Sequence, residues 1–174
     1  MKIFATQLYG VFQKIIEREE EALEDGSRLA AQGPAGTGRL LLYATSSMKG
    51  NAFNLSNHPD APAKTLQVQE LKDITPEPTD RAIILAEKKE AEDLQIITRH
   101  LQSAEVPMVV IAPFSEEDGG ITLDPTDVWV QTHVKGGLVP DEKGKRIGSP
   151  SSLSTLFTGQ LLFLHIKELL DELD

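Results

Sequence analysis

Four short apolar runs punctuate the chain: Leu40–Ala44, Ala82–Ala86, Met108–Ala112 and the weaker Val128–Val130. Runs of this length, nearly continuous in apolar residues, are what a parallel sheet covered on both faces requires. A fifth segment, Thr65–Gln69, alternates polar and apolar positions and reads as an edge strand with one exposed side. Between the runs at 82–86 and 108–112, Ala91, Leu94, Ile97, Leu101 and Ala104 recur at helical spacing, so residues 82–112 read as a βαβ unit. The pattern predicts an α/β fold.

The ends of the chain are helical by the same criterion. Phe4, Leu8, Val11, Phe12, Ile15, Ile16 and Leu23 lie close to one face of a long amphipathic helix. Its acidic end, Glu17-Arg18-Glu19-Glu20-Glu21 with Glu24 and Asp25, reads as a solvated face, with cation binding as the alternative. Gly26 is the expected stop, followed by a short helical piece at Arg28–Ala31 and a flexible Gly33–Gly38 connection. At the other end, Ser149 is placed to cap a helix with Pro150 in its first turn, running to Asp171. Its stretch Leu161–Ile166 is apolar nearly all round, which predicts a second partner surface and hence a homodimer contact through the C-terminal helix; enclosure within the chain's own fold is the alternative. Residues 1–174 are thus expected to form a single domain, with a helical segment at 1–32 and an α/β core with its C-terminal helix at 39–174.

Composition narrows the function classes. The 174 residues carry 17 Lys and Arg against 27 Asp and Glu, a net charge of −10, which disfavours non-specific binding to nucleic acid or to anionic membrane surfaces. Cysteine is absent, which removes thiolate nucleophiles, disulfides and Cys-ligated metals and is expected of a cytoplasmic protein. No 18-residue apolar run is present, and the first 20 residues read as a helix of the fold and not as a signal peptide.

In an open parallel sheet, ligands bind beyond the carboxyl ends of the strands, where helix N-termini offer free N–H groups. After Leu40–Ala44 comes Thr45-Ser46-Ser47-Met48-Lys49-Gly50-Asn51, which can cradle a phosphate, or in which Ser46 or Ser47 simply caps the next helix. After Ala82–Ala86, Lys88 and Lys89 can attract an anion, although Glu87 and Glu90 flank them. The acidic loop at 113–120 lacks the spacing of a calcium loop and reads as plain surface. The long connection 134–146 suits a loop that closes over a ligand, or an idle excursion. His58, His100, His133 and His165 form no metal-binding pattern, so neither a metal nor a cofactor is expected. Gly33–Gly38 precedes a strand and lacks the Gly-Lys-Ser/Thr ending of a nucleotide loop, and neither GxGxxG nor GxSxG occurs.

A leading helix, a strand ending in a serine loop, a βαβ unit opened by Asp80-Arg81-Ala82-Ile83-Ile84, the strand Met108–Pro113 and a G-x-R-I-G-S segment feeding a long apolar helix together resemble the sugar isomerase (SIS) domain family. Within it they are similar to the phosphoheptose-isomerase-like branch and its small bacterial members. The resemblance implies a three-layer αβα fold with a flavodoxin-like five-stranded parallel sheet, a dimer, and a phosphorylated sugar or related small anion bound at the strand ends. The phosphate would be held by Thr45, Ser46 and Ser47, with Lys49, Lys88 and Lys89 adding charge. Ser149, Ser151 and Ser152 match the polar start of the last helix. Where the family has an S-x-S-G-x-[ST] loop, this chain reads Ala86-Glu87-Lys88-Lys89-Glu90-Ala91, without a hydroxyl. The position of the family's glutamate base falls near Ser56-Asn57-His58, and His165 lies on the helix that carries its histidine. His165 and His58 are therefore the candidates for proton transfer.

Three roles follow as expectations: an aldose–ketose isomerase of phosphorylated sugars with an altered active site, a non-catalytic sugar-phosphate sensor or regulatory module, and an acidic dimeric interaction protein without a ligand.

Overall fold

The computed structural model describes residues 2–173. Its centre is a parallel sheet of β1 (Leu40–Ala44), β2 (Thr65–Gln67), β3 (Arg81–Leu85), β4 (Met108–Ala112) and β5 (Val128–Gln131), in the spatial order β2-β1-β3-β4-β5. β1 and β4 are buried along their whole length, as continuous apolar runs require, whereas β2 is the expected edge strand but is shorter than its alternation predicts, with its apolar Leu66 the exposed position. The expected three-layer α/β architecture is the one observed.

Because successive strand residues face opposite sides, each strand feeds two cores. Leu40, Leu42, Ile83, Leu85, Val109 and Ile111 pack beneath α2 (Glu20–Ala35), α3 (Lys49–Ser56) and α6 (Ser151–Asp171). Leu41, Tyr43, Ile84, Met108 and Val110 face α4 (Glu92–Ser103), with Phe114, Trp129 and the loop residues Leu71 and Ile74 closing that side. α3 links β1 to β2 on one face and α4 links β3 to β4 on the other, so the chain leaves β1 and β3 in opposite directions. The crevice between the carboxyl ends of β1 and β3 is the topological switch point of the sheet.

The N-terminal helix differs from its expected form. It breaks at Glu19 into α1 (Lys2–Arg18) and α2, and Gly26 lies inside α2, where a Cβ would stand 3.3 Å from a Val109 methyl. Gly26 is thus a close-packing position and not a stop. The acidic run is not wholly a solvated face either, because the Glu19 carboxylate accepts the Gln131 N–H at 3.0 Å and pairs with His133 Nε2 at 2.5 Å. This contact anchors the break to the end of β5. α2 also absorbs Gly33 and Pro34, so the Gly33–Gly38 segment is a tightly packed junction; a Cβ on Gly38 would sit 1.9 Å from the Thr79 carbonyl oxygen.

The connection at 134–146 is not structureless. Val139–Pro140 (β6) and Arg146–Ile147 (β7) pair as a small antiparallel hairpin, and Gly148 at its base packs against the Phe4 ring of α1. The acidic loop contains a single helical turn, α5 (Glu116–Gly119), capped by Ser115, whose Oγ accepts the Asp118 N–H at 3.3 Å. At the start of α6, Ser149 Oγ accepts the Ser151 N–H in a long 3.4 Å contact, one residue before Pro150.

At the amino ends of β1 and β3, the buried Asp80 carboxylate accepts hydrogen bonds from Arg39 N, Arg39 Nε, Arg39 Nη2 and Glu77 N at 2.6–3.0 Å. Burial alone would raise its pKa, but these donors hold it below the usual carboxylate range. A depressed folded-state pKa contributes stability that is present above the unfolded-chain value near 4 and is lost as pH falls through the folded value. Asp80→Asn is therefore expected to cost about 3 kcal/mol at pH 7, with the gap to the parent closing below about pH 4; urea unfolding at pH 7 and pH 3 measures both. Gly38→Ala is expected to lower stability by about 2–3 kcal/mol. Gly50→Ala, where a Cβ meets nothing within 4 Å, should be neutral or gain up to about 1 kcal/mol in the same assay.

Candidate functional site

The loop after β1 does not have the geometry of a simple helix cap. Thr45 ends the strand in an extended conformation, Ser46–Met48 make one 3-10 turn, and α3 follows from Lys49 without a side-chain cap. Met48 is buried beneath this turn, so Ser46 and Ser47 are turned outward at the switch point. Opposite them, the loop after β3 leads into α4, whose N-cap position is Ala91 and likewise supplies no side-chain cap.

Two cavities meet between these loops. The larger, about 430 Å³, is lined by Thr45, Ser46, Ser47, Lys88, Ala91, Glu92, Asp93 and Ile96. The smaller, about 170 Å³, includes Tyr43, Ser46, Lys49, Glu70, Leu71, Asp93 and Ile96. Ser46, Asp93 and Ile96 belong to both. At this shared boundary Asp93 Oδ2 accepts two hydrogen bonds from Ser46, one from its backbone N–H at 2.7 Å and one from its hydroxyl at 3.1 Å.

The cleft carries further polar groups, both cationic and acidic, beside this contact. Thr45 is 2 % exposed, and its Oγ1 finds no hydrogen-bond partner among the described residues. Lys88 lines the larger cavity and Lys49 the smaller. Tyr43 forms part of the inner wall, and burial, followed by the nearby Asp80 charge, pushes its phenol up to about 12, so it stays protonated near neutral pH.

The other residues singled out from the sequence are distributed as follows. Lys89 is exposed but lines neither cavity. Ser152 Oγ donates to Asn51 Oδ1 at 2.7 Å while Asn51 Nδ2 donates to the Ser152 carbonyl at 3.0 Å, a reciprocal tie between α3 and α6. Ser149 and Ser151 share a 3.0 Å hydroxyl–hydroxyl contact. These three serines border neither cavity around Ser46.

Neither candidate histidine reaches the serine loop within the protomer. His58 follows α3, where its Nδ1 accepts the Asp60 N–H at 3.2 Å and its Nε2 lies 3.2 Å from Gln160 Nε2. His165 lies 13 positions after Ser152 on α6, about 20 Å along the helix axis. It lines a separate cavity with Glu24, Arg28 and Glu168, and its buried Nδ1 has no partner among the described residues. No residue of the 134–146 connection lines either cavity around Ser46.

Sequence reasoning missed Asp93. The available signal was an acid in the first turn of the helix that follows the second loop, a place where carboxylates are favoured by the helix dipole. What the sequence did not disclose is that this acid faces the serine loop across the crevice.

The comparisons agree with this geometry at the level of the fold. The sugar isomerase domain of the RpiR transcription factor from Sphaerobacter thermophilus superposes with a TM-score of 0.68 at 14% identity, covering 98% of this chain and 90% of the other. Phosphoheptose isomerase GmhA from Neisseria gonorrhoeae gives 0.68 at 12% identity, with 94% of each chain covered. The fold is therefore that of a sugar isomerase domain. In sequence, the chain is 29% identical over 173 residues to the uncharacterized protein YwjG of Bacillus subtilis, spanning 99% of this chain and 98% of the relative. The family described as a domain of unknown function, DUF2529, matches residues 1–170, and the chain belongs to it.

Proposed function

We propose that this protein binds a phosphorylated sugar in the cleft between Ser46 and Lys88 and acts as a non-catalytic sensing or regulatory module. One observation carries the reading: at the switch point of the sheet, the Ser46 N–H and hydroxyl already hold a carboxylate oxygen. Two donors converging on one anionic oxygen support reading this loop as an anion site, and charge-assisted hydrogen bonds of this kind are the stronger class. Thr45 Oγ1 and the Lys88 ammonium add a further donor and a positive charge, and the adjoining cavity with Tyr43, Lys49 and Glu70 offers space and polar groups for the sugar. The likeness to both an isomerase and a transcription factor's sugar isomerase domain supports the ligand class and leaves the role to the site chemistry.

That chemistry favours binding over turnover. Moving a proton between adjacent carbons needs a base and an acid within hydrogen-bond reach of the sugar, and His58 and His165 are both remote from the cleft in the protomer. The isomerase alternative draws on the carboxylates that do line the cleft, Glu70, Glu92 and Asp93. Incubation with aldose and ketose phosphates, followed by NMR, separates the two: interconversion above the uncatalysed rate replaces the sensor reading with the isomerase.

The protein is also proposed to work as a homodimer through α6 and the adjacent α1. Leu153 and Leu164 of α6 and Ile3, Tyr9 and Ile16 of α1 are exposed, and Phe12 stacks on Phe157 at 4.2 Å to join the two helices. A second copy presenting the same apolar helices covers both patches at once by two-fold symmetry.

A thermal-shift panel of sugar phosphates, free sugars and inorganic phosphate is expected to single out a sugar phosphate, since a ligand that binds only the native state raises its apparent stability. Ser46→Ala combined with Ser47→Ala should weaken that ligand by about tenfold or more while leaving the unliganded melting temperature near the parent value. A double variant that binds as the parent does removes the site from this loop. Sedimentation at micromolar concentration should give twice the 19.1 kDa chain mass, falling toward one chain in Leu164→Glu.

A further inference from the structure

We infer that Asp93 is a built-in competitor for the anion site, a carboxylate that a phosphorylated ligand must displace from Ser46. This rests on the reading of the cleft as a sugar-phosphate site and adds the threshold that any anion must overcome there.

Asp93 stands second in α4, yet it leaves that helix's first turn without a side-chain cap and reaches instead to Ser46 N and Oγ, at 2.7 and 3.1 Å. A phosphate oxygen would use those same two donors, so the two anions cannot be held together. Beside this contact Thr45, which lines the larger cavity, has a buried Oγ1 with no partner among the described residues. Buried hydroxyls are ordinarily hydrogen-bonded, and a tetrahedral phosphate has oxygens to spare for this one after Ser46 is engaged. Asp93 lines both the 430 and the 170 Å³ cavity, together with Ser46 and Ile96, so its carboxylate stands where the two adjoin.

The consequence is a threshold. A free phosphate ion must expel a tethered carboxylate and suffers its negative charge for the sake of a few contacts. A sugar phosphate meets the same cost and offsets it with contacts in the adjoining pocket.

Calorimetric titration of inorganic phosphate and of fructose 6-phosphate into the wild-type protein, Asp93→Asn and Asp93→Ala tests this, with unliganded melting curves to show that each variant is folded. Both variants are expected to bind inorganic phosphate and fructose 6-phosphate about tenfold or more tighter than the wild type. Adding Ser46→Ala to Asp93→Asn should remove part of the gain, since the hydroxyl is lost and the Ser46 backbone N–H remains. If wild type and variants bind fructose 6-phosphate equally, the competitor role is overturned while the sugar-phosphate site stands. Weaker binding by the variants overturns it too and makes Asp93 a direct ligand contact. If none of the three proteins binds either anion, the competitor role and the sugar-phosphate reading fall together.

Discussion

The Asp80 carboxylate is the constraint on which the arrangement of the sheet turns. The chain leaves β2 at one edge, crosses over β1 and enters β3 beside it through irregular backbone whose end must be fixed against the start of β1. Asp80 does so by accepting both the backbone N–H and the guanidinium of Arg39, the residue before β1, together with the Glu77 N–H of its own turn. Arg81 N then donates to the Arg39 carbonyl and the register Leu40↔Arg81 follows. A buried charge is costly unless its oxygens are filled. Here all four donors are available only when β1 and β3 start side by side.

With that register set at the amino ends, the carboxyl ends of the same two strands are brought level, and the Ser46 turn faces the N-terminus of α4 across the switch point. A second carboxylate bridges the pair there, but under different conditions. Asp80 is 1 % exposed and accepts four hydrogen bonds, whereas Asp93 is half-buried and accepts two from a single serine. Desolvation makes the first contact hard to exchange. The second borders the two cavities and is only partly desolvated. The two ends of one strand pair thus carry a buried and a half-exposed version of the same interaction.

The helical layer on the α2 and α6 side follows a separate logic. α6 buries Leu162, Phe163 and Ile166 against the sheet and Gly159 against Leu55, while Leu153 and Leu164 stay on the outside. α1 buries only Ile15 fully and leans on α6 through Phe12 and Phe157. A helix that contributes so little to its own core and exposes Ile3, Tyr9 and Ile16 has its apolar stripe directed elsewhere than the sheet.

Periodicity alone determined the five parallel strands, the α4 helix, a sheet covered on both faces and the serine loop at the end of β1. These rest on local alternation and helical spacing, which short stretches of chain encode directly, and a continuous apolar strand has no stable place except between two covered faces. Tertiary structure alone decided the rest. Gly26 looked like a helix stop because its backbone freedom is visible in sequence and the Val109 methyl it packs against is not. Glu19 looked solvated because its partner His133 is 114 positions away. The 134–146 connection became a hairpin against Phe4, which no local signal specifies. His58 and His165 share a sequence context with proton-transfer groups, but α3 and α6 carry them away from the cleft in the protomer. Asp93 reached the centre of the site from 47 positions beyond Ser46. A composite site takes its chemistry from single residues, and their meeting depends on strand order and crossover direction, which local pattern does not contain.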